Sequence, residues 1–290
     1  MIKLGLIGDN ILASSSPRLH RLAGEIVGLE VTYDALIPRE RNQDFHALFD
    51  WCAGEGGYRG VNITFPYKEM VFERLTVNCP TVQALGACNT AIFEDGLATG
   101  YNTDFSGFQT AYRNAFPNDA PGHVAMAGAG GVGKAIAFGL ATLGAKSIRI
   151  FDPALERAEQ LVSAIKRTFP DIQALAVRSI ESACANADGL VNSTPLGMVG
   201  YPGSAFPTHL LAKRRWVFDA VYTPVDTQFL TEATLSGATC ISGYELFFHQ
   251  GVDAFNLFAG QDIDKKLLRA QLKHAPKSND RLRGEISPPD

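Results

Sequence analysis

The chain has 290 residues, enough for two ordinary domains and too many for one small core. With 46% apolar and 19% charged residues and no low-complexity stretch, its composition is that of a globular enzyme. A formal net charge of -4 leaves no basic stripe, so no nucleic-acid partner is expected.

The opening residues, Met1 to Gly8, lack the charged flank and long apolar core of a signal peptide. No apolar run approaches the ~18 residues of a membrane span, so neither membrane partner nor anchor is expected. The five cysteines (Cys52, Cys79, Cys88, Cys184, Cys240) form no CxxC pair, and the six histidines no HExxH pair. That pattern points to reduced thiols, a cytoplasmic location and no bound metal.

Leu4 to Ile7 reads as a buried strand, Pro17 to Val27 as a helix and Val31 to Leu36 as a second strand. A helix over about Asn42 to Ala53 and a strand at Gly60 to Thr64 follow. This β-α-β-α-β order predicts parallel strands joined by helical crossovers. Asp104 to Phe116 reads as a helix carrying the chain into a second α/β unit. There, a strand at His123 to Ala127 and a helix from Gly131 to Leu143 precede a strand at Ser147 to Phe151. Further strands are expected at Ala174 to Val177, Gly189 to Asn192, Trp216 to Ala220 and Ala238 to Ile241. After Gly243, apolar residues at helical spacing (Leu246, Phe247, Ala254, Phe255, Phe258) suggest a helix returning to the first domain. From about Lys273 the sequence turns polar, and a frayed tail is expected. The predicted class is thus α/β with two domains. Residues 1–104 with 244–272 form the first, mainly parallel; residues 105–243 form a Rossmann domain.

Gly128-Ala129-Gly130-Gly131-Val132-Gly133 satisfies G-x-G-x-x-G between an apolar strand and an Ala-rich helix. Glycine there permits a tight turn and lets backbone N–H groups approach a pyrophosphate at the helix N-terminus. A glycine-rich turn that binds nothing is the bland alternative, and the strand and helix on either side argue against it. Asp152 ends the next strand; an acid at that place accepts hydrogen bonds from ribose hydroxyls and repels the 2′-phosphate of NADP. Arg157, five residues on, either reaches towards such a phosphate or is a solvated helix residue. NAD is favoured over NADP.

In the first domain, polar groups gather where strands are expected to end: Ser14-Ser15-Ser16-Pro17, Asn62-Ile63-Thr64-Phe65-Pro66-Tyr67-Lys68, Ala87-Cys88-Asn89-Thr90 and Asn102-Thr103-Asp104. Hydroxyls, amides, one lysine and one carboxylate suit a small polyhydroxylated acid. These segments, with the glycine loop, Asn192-Ser193-Thr194-Pro195-Leu196-Gly197-Met198 and Asp219-Ala220-Val221-Tyr222-Thr223-Pro224, stand in the order found in the shikimate dehydrogenase family. The chain resembles that family over nearly its whole length.

The resemblance implies an active site in a cleft between two domains. Ser14 and Ser16 would meet the substrate carboxylate, and Thr64, Asn89 and Gln250 the ring hydroxyls. Lys68 and Asp104 would be the catalytic pair, and Tyr222 would line the site. Thr194, Pro195, Met198, Val221 and Gly243 would complete the cofactor side. NADP-using members usually carry an Asn-Arg-Thr segment where this chain has Asp152-Pro153-Ala154, so it looks closest to the NAD-using quinate/shikimate branch. A second departure is Leu246, at a position where the family commonly has methionine.

Alcohol oxidation needs a hydride acceptor and a group that takes the hydroxyl proton. Lys68 is the candidate for the latter with Asp104 hydrogen-bonded beside it; a role shared by the pair is the alternative. Each residue also has a plain structural reading: Asp104, Ser14 and Ser16 as helix caps, Asn89 as a turn residue. The expected reaction interconverts shikimate and 3-dehydroshikimate, with quinate as a second substrate. A dehydrogenase for an aminoshikimate or another cyclitol acid, and a non-catalytic dinucleotide/metabolite sensor, are the competing functions.

Overall fold

The computed structural model describes residues 1–273; all but the first residue of the expected frayed tail lies outside the described residues. The chain divides into two compact units. One comprises Met1–Val82, Gly86–Thr103 and the residues from Gly251 onward; the other comprises Gln83–Leu85 and Asp104–Gln250.

The first unit opens β1 (Ile2–Ile7), α1 (Ser16–Val27), β2 (Val31–Leu36), α2 (Phe45–Ala53) and β3 (Gly60–Ile63). β1 pairs in parallel with both β2 and β3, as the crossover pattern predicts. α2 starts later than the apolar spacing suggests. Asn42 ends a short 3-10 turn in the left-handed region, and the Asp44 side chain caps the helix by accepting the Ala47 N–H at 2.9 Å.

Beyond α3 (Pro80–Leu85) the sequence expectation is incomplete. β4 (Thr90–Glu94) and β5 (Leu97–Tyr101) form an antiparallel hairpin, so the five-stranded sheet β2-β1-β3-β4-β5 is mixed. Asp95 and Gly96 at its tip have φ of 50° and 75°, the positive values that a two-residue turn matching strand twist requires.

The second unit begins with α4 (Thr103–Ala115), whose first residue belongs to the first unit. It continues through β6 (His123–Ala127), α5 (Gly131–Thr142), β7 (Ser147–Phe151), α6 (Leu155–Thr168), β8 (Gln173–Val177), α7 (Ile180–Cys184) and β9 (Gly189–Asn192). Then come β10 (Trp216–Asp219), α8 (Gln228–Leu235) and β11 (Thr239–Ile241). The six strands pair in parallel in the order β11-β10-β9-β6-β7-β8. Counted from β6, this is the doubly wound order 3-2-1-4-5-6, with the direction of winding reversing between β6 and β9. Trp216 is wholly buried and donates its indole N–H to the Pro121 carbonyl at 3.1 Å. Among the described residues, no helix is long and apolar enough to cross a membrane.

α9 (Gly243–Ala259) contributes residues to both units, which divide between Gln250 and Gly251. Its Phe247, Phe248, Phe255 and Phe258 are buried, in keeping with a packing role. α10 (Lys265–Leu272) packs on α1, where Arg18 donates to the Leu272 and Gln271 carbonyls at 3.0 and 3.2 Å.

Among the described residues, the first unit buries one histidine. His20 on α1 stacks on Tyr33 with ring centroids 4.9 Å apart, and Phe255 and Phe258 flank it. Complete burial holds its imidazole down to about 3, against a weaker upward effect of a hydrogen bond with Asn62. The folded state therefore keeps His20 neutral while the unfolded chain takes up a proton below about 6.5. Stability contributed by the neutral ring is complete above that pH and is lost as pH falls towards 3, at no more than about 1.4 kcal/mol per pH unit. The urea midpoint should fall between pH 6.5 and 4, and His20→Gln should flatten that fall. Equal slopes for both proteins would show that another group controls this range.

Candidate functional site

In the first unit the hairpin decides where polar side chains gather. Because β4 runs against β3, its first residue Thr90 pairs with Asn62 near the end of β3 and with Tyr101 at the end of β5. The carboxyl ends of β1, β3 and β5 and the amino end of β4 thus share one edge of the sheet. The Ile7 carbonyl accepts from Thr64 N at 2.9 Å, the Asn89 carbonyl from Ile63 N at 2.8 Å, and the Tyr101 carbonyl from Asn89 N at 3.0 Å. Thr64, Asn89 and Thr103 are carried on that edge.

Asn89 is 3% exposed, and its side-chain oxygen is heavily used. Oδ1 accepts from Thr103 N at 2.7 Å, from Thr103 Oγ1 at 3.1 Å and from Thr90 Oγ1 at 3.1 Å. Behind it, Asn62 donates from Nδ2 to Thr90 Oγ1 at 3.0 Å and accepts on Oδ1 from the Tyr33 hydroxyl at 2.9 Å. The sequence reading assigned no role to Asn62, Thr90, Thr103 or Tyr33. The available signal was strand period: Asn62 and Thr64 are two apart in and just beyond β3, so two polar residues fall on one face.

Ser14 and Ser16 lie ahead of and at the start of α1. Ser15, not either of them, occupies the N-cap position, and no side chain caps the helix. Ser14 Oγ instead accepts from Ser16 N at 3.2 Å, a local turn that leaves both serines half-buried. Thr64 and Lys68 are also half-buried. The intervening Tyr67 is fixed on two sides: it stacks on Phe45 at 4.6 Å and donates its hydroxyl to Asp9 Oδ1 at 2.8 Å. Burial with the Asp9 carboxylate alongside pushes the Tyr67 phenol up to about 12, so it remains a donor at neutral pH.

The second unit holds Asp104, Tyr222 and Gln250. Asp104 is 6% exposed in the first turn of α4. Tyr222 stacks on Phe247 at 5.1 Å, and burial, then the Asp104 charge, pushes its phenol above the ordinary value. Gln250 donates from Nε2 to the Phe247 carbonyl at 3.0 Å, and a Cβ at Gly107 would stand 2.7 Å from the Gln250 nitrogen. Gly107 is what lets α4 approach α9 here. Lys68 belongs to the first unit, with Ser14, Ser16, Thr64 and Asn89.

The glycine loop follows β6 at the reversal point of the six-stranded sheet. Gly128 has φ of 98°, and Ser193 Oγ lies 2.8 and 2.9 Å from the Ala127 and Gly128 carbonyls. A Cβ at Gly133 would stand 2.6 Å from the Gly128 oxygen. Gly130 occupies the N-cap of α5 with extended backbone, no side chain caps the helix, and no atom lies within 4 Å of where its Cβ would be. Gly131 and Val132 are half-buried at the start of the helix. Such a turn leaves helix N–H groups for an anion, so these residues fit a dinucleotide pyrophosphate. Asp152 closes the loop's other side: Oδ2 accepts from Ala129 N at 2.8 Å and Oδ1 from Ala154 N at 2.9 Å. Arg157 is exposed.

The loops after β9 and β10 are tied together through two buried residues. Asn192 donates to Asp219 Oδ1 at 2.9 Å and to the Leu196 carbonyl at 3.0 Å, and its Oδ1 accepts from both N and Oγ1 of Thr194. Asp219 also accepts from Val221 N at 3.0 Å and Thr227 Oγ1 at 2.6 Å. Burial pushes its carboxyl up, and those three hydrogen bonds oppose the rise. Thr194 is half-buried, Pro195 and Met198 are exposed, and Val221 is buried. Gly243 is buried as well: a Cβ there would meet the Val221 and Ala220 carbonyls at 2.5 and 2.6 Å, so it permits close packing of α9. Burial raises the Cys52 and Cys88 thiols to about 12 and Cys184 to about 11, which leaves them protonated. Among the described residues, no cluster of His, Cys, Asp or Glu could hold a metal ion.

A doubly wound sheet with an uncapped glycine turn at its reversal point, joined to a second α/β unit, defines a two-domain protein of the dinucleotide-binding α/β class. The chain belongs to the shikimate dehydrogenase family. The family model for the shikimate dehydrogenase substrate binding domain matches residues 6–91. The chain is 38% identical over 275 residues to the quinate/shikimate dehydrogenase (NAD(+)) of Corynebacterium efficiens, covering 93% of this chain and 96% of that protein. It is 37% identical over 274 residues to the shikimate dehydrogenase (NADP(+)) of Streptomyces avermitilis, covering 93% and 94%. Among solved structures, the quinate dehydrogenase from Corynebacterium glutamicum in complex with NAD superposes with a TM-score of 0.86 at 36% identity, covering 93% of this chain and 98% of that one.

Gly128→Ala should test how tightly the loop is built. The added Cβ meets the Ser193 backbone at 2.9 Å and must adopt a left-handed φ. Strain and overpacking should together lower the unfolding free energy by roughly 2 kcal/mol or more, measured in urea without ligand. A loss within experimental error would mean that the loop relaxes freely.

Proposed function

We propose that the protein is an NAD-dependent dehydrogenase interconverting shikimate and 3-dehydroshikimate, with quinate and 3-dehydroquinate as a second pair. The observation that carries this reading is the Asp152 carboxylate, bonded into the glycine loop of a chain akin to NAD-using quinate/shikimate dehydrogenases.

Asp152 has acceptor capacity beyond its two backbone bonds, which suits ribose hydroxyls. A 2′-phosphate brings only acceptors and negative charge to the same place. NAD, when bound, supplies the hydride acceptor. The chain's own residues bind the ring acid, present its C3 hydroxyl and take the proton. Ser14 and Ser16 are assigned to the carboxylate, and Thr64, Asn89 and Gln250 to ring hydroxyls. Lys68 and Asp104 would act as the acid–base pair and take the C3 hydroxyl proton as the C3–H bond gives up its hydride. Tyr222, a neutral phenol stacked on Phe247, lines the ring site. Thr194, Pro195, Met198 and Val221 line the cofactor side, and Gly243 lets α9 approach them.

Initial rates with shikimate and quinate, each with NAD and NADP, test the reading. Shikimate should reduce NAD readily and NADP poorly, and Asp152→Ala should move the cofactor preference towards NADP by about tenfold or more. Lys68→Ala should lose at least about 100-fold in kcat while shikimate still binds. If the wild type turns over no pairing, the dehydrogenase reading fails.

A further inference from the structure

The inference concerns the polarity of one contact in the proposed ring site, and rests on the shikimate/quinate reading. Asn89 can be oriented without ambiguity, because a backbone N–H can only donate. The side-chain atom 2.7 Å from Thr103 N must therefore be the oxygen. The direction of the remaining bonds then follows. Thr90 Oγ1 receives the Asn62 Nδ2 hydrogen, and its own proton has Asn89 Oδ1 at 3.1 Å as the nearer acceptor, with Thr103 Oγ1 farther off at 3.4 Å. Asn62 is itself oriented, since the atom 3.5 Å from the Asn89 carbonyl oxygen must be its donor Nδ2, which leaves Oδ1 for the Tyr33 hydroxyl. With Thr103 Oγ1 as a further donor, three donors converge on an oxygen that has two lone pairs.

Two consequences follow. Asn89 Oδ1 has no acceptor capacity left for a ligand. Nδ2, by contrast, meets no acceptor among the described residues, and it is not among their sealed, unpartnered polar atoms. We propose that Thr103 and Thr90, backed by Asn62, are positioning residues that make Asn89 a donor-only contact. At the ring carbon that Asn89 reads, the site selects an oxygen with a free lone pair and rejects an ammonium group. The substrate class is thereby narrowed to ring acids bearing hydroxyl, not amino, at that carbon.

Asn89→Asp inverts the contact while keeping the inward oxygen for the three donors. The outward atom becomes an anionic acceptor. The probes are shikimate and its analogues carrying an amine in place of the C4 or the C5 hydroxyl, each assayed with NAD. In the wild type one of the two amino analogues should fall about 100-fold below shikimate in kcat/KM. In Asn89→Asp that ratio should shift by about 100-fold in favour of the same analogue, with the other moved far less. A global loss of function would depress all three compounds together and could not produce this crossing. An unmoved ratio at both carbons in an active variant would overturn the proposal.

Should Asn89→Asp not fold, the Thr103 pair decides. Thr103→Val keeps the backbone donor and removes the hydroxyl, so the KM for shikimate should rise about tenfold with the KM for NAD unchanged. Thr103→Ser should restore it. Equal KM values for shikimate in wild type, Val and Ser proteins would overturn the positioning role. Absence of wild-type turnover on both ring acids removes the functional reading and this inference with it; turnover with unmoved ratios removes the inference alone.

Discussion

Three donors competing for the side-chain oxygen of Asn89 set the arrangement of the first unit's polar edge. Asn89, Thr90 and Thr103 are each no more than 3% exposed, so their polar atoms must be satisfied largely by one another. That requirement ties the start of β4 to the residues just past β5, and through Asn62 to β3. Asn62 continues the chain of bonds to Tyr33 on β2, so the network crosses the sheet at right angles to its strands. His20, stacked on Tyr33, seals the far end with an apolar environment. A buried polar network of this kind is costly when half-satisfied and rigid when complete. Here it is nearly complete, and its one outward donor sits where a ligand is proposed.

The second unit solves a related problem with carboxylates. Asp219 is fully buried, and three donors from Asn192, Val221 and Thr227 compensate it. It thereby locks the loop after β10 to the loop after β9, because Asn192 is bonded at both ends. Asp152 is different in kind: it is half-buried, and one of its backbone partners, Ala129, belongs to the glycine loop itself.

Most of the Rossmann unit was legible because its strands are short, mostly apolar runs flanked by turn or polar residues. β6, β7 and β9 fall where the pattern puts them, and the glycine turn sits between strand and helix as its spacing implies. Apart from the returning helix α9, the first unit was legible only as far as β3. The crossover rule leads to a mainly parallel sheet and places no antiparallel pair, although Asp95-Gly96 is a strong local hairpin signal. Without that hairpin, Asn89 and Thr103 look like residues of separate loops. Their convergence needs antiparallel register, Thr90 opposite both Asn62 and Tyr101, which is a property of pairing and not of either segment alone. The same holds for Asp219: its type and position were visible, but a buried carboxylate with three donors appears only once two loops meet.

Hydrogen-bond capacity links these observations to specificity. A carboxylate with two of its lone-pair sites used still accepts, so Asp152 favours a partner that donates. A carboxamide whose oxygen is saturated can only donate, so Asn89 favours a partner that accepts. A ribose hydroxyl and a ring hydroxyl each do both, and each satisfies the group it would meet. A phosphate in the first place and an ammonium in the second offer only the wrong sense, and each adds a like or uncompensated charge. Selectivity of this kind does not need a tight steric fit. It needs side chains whose hydrogen-bond sense is fixed: Asp152 because both carboxylate oxygens can only accept, and Asn89 because the Thr103 N–H holds its oxygen inward.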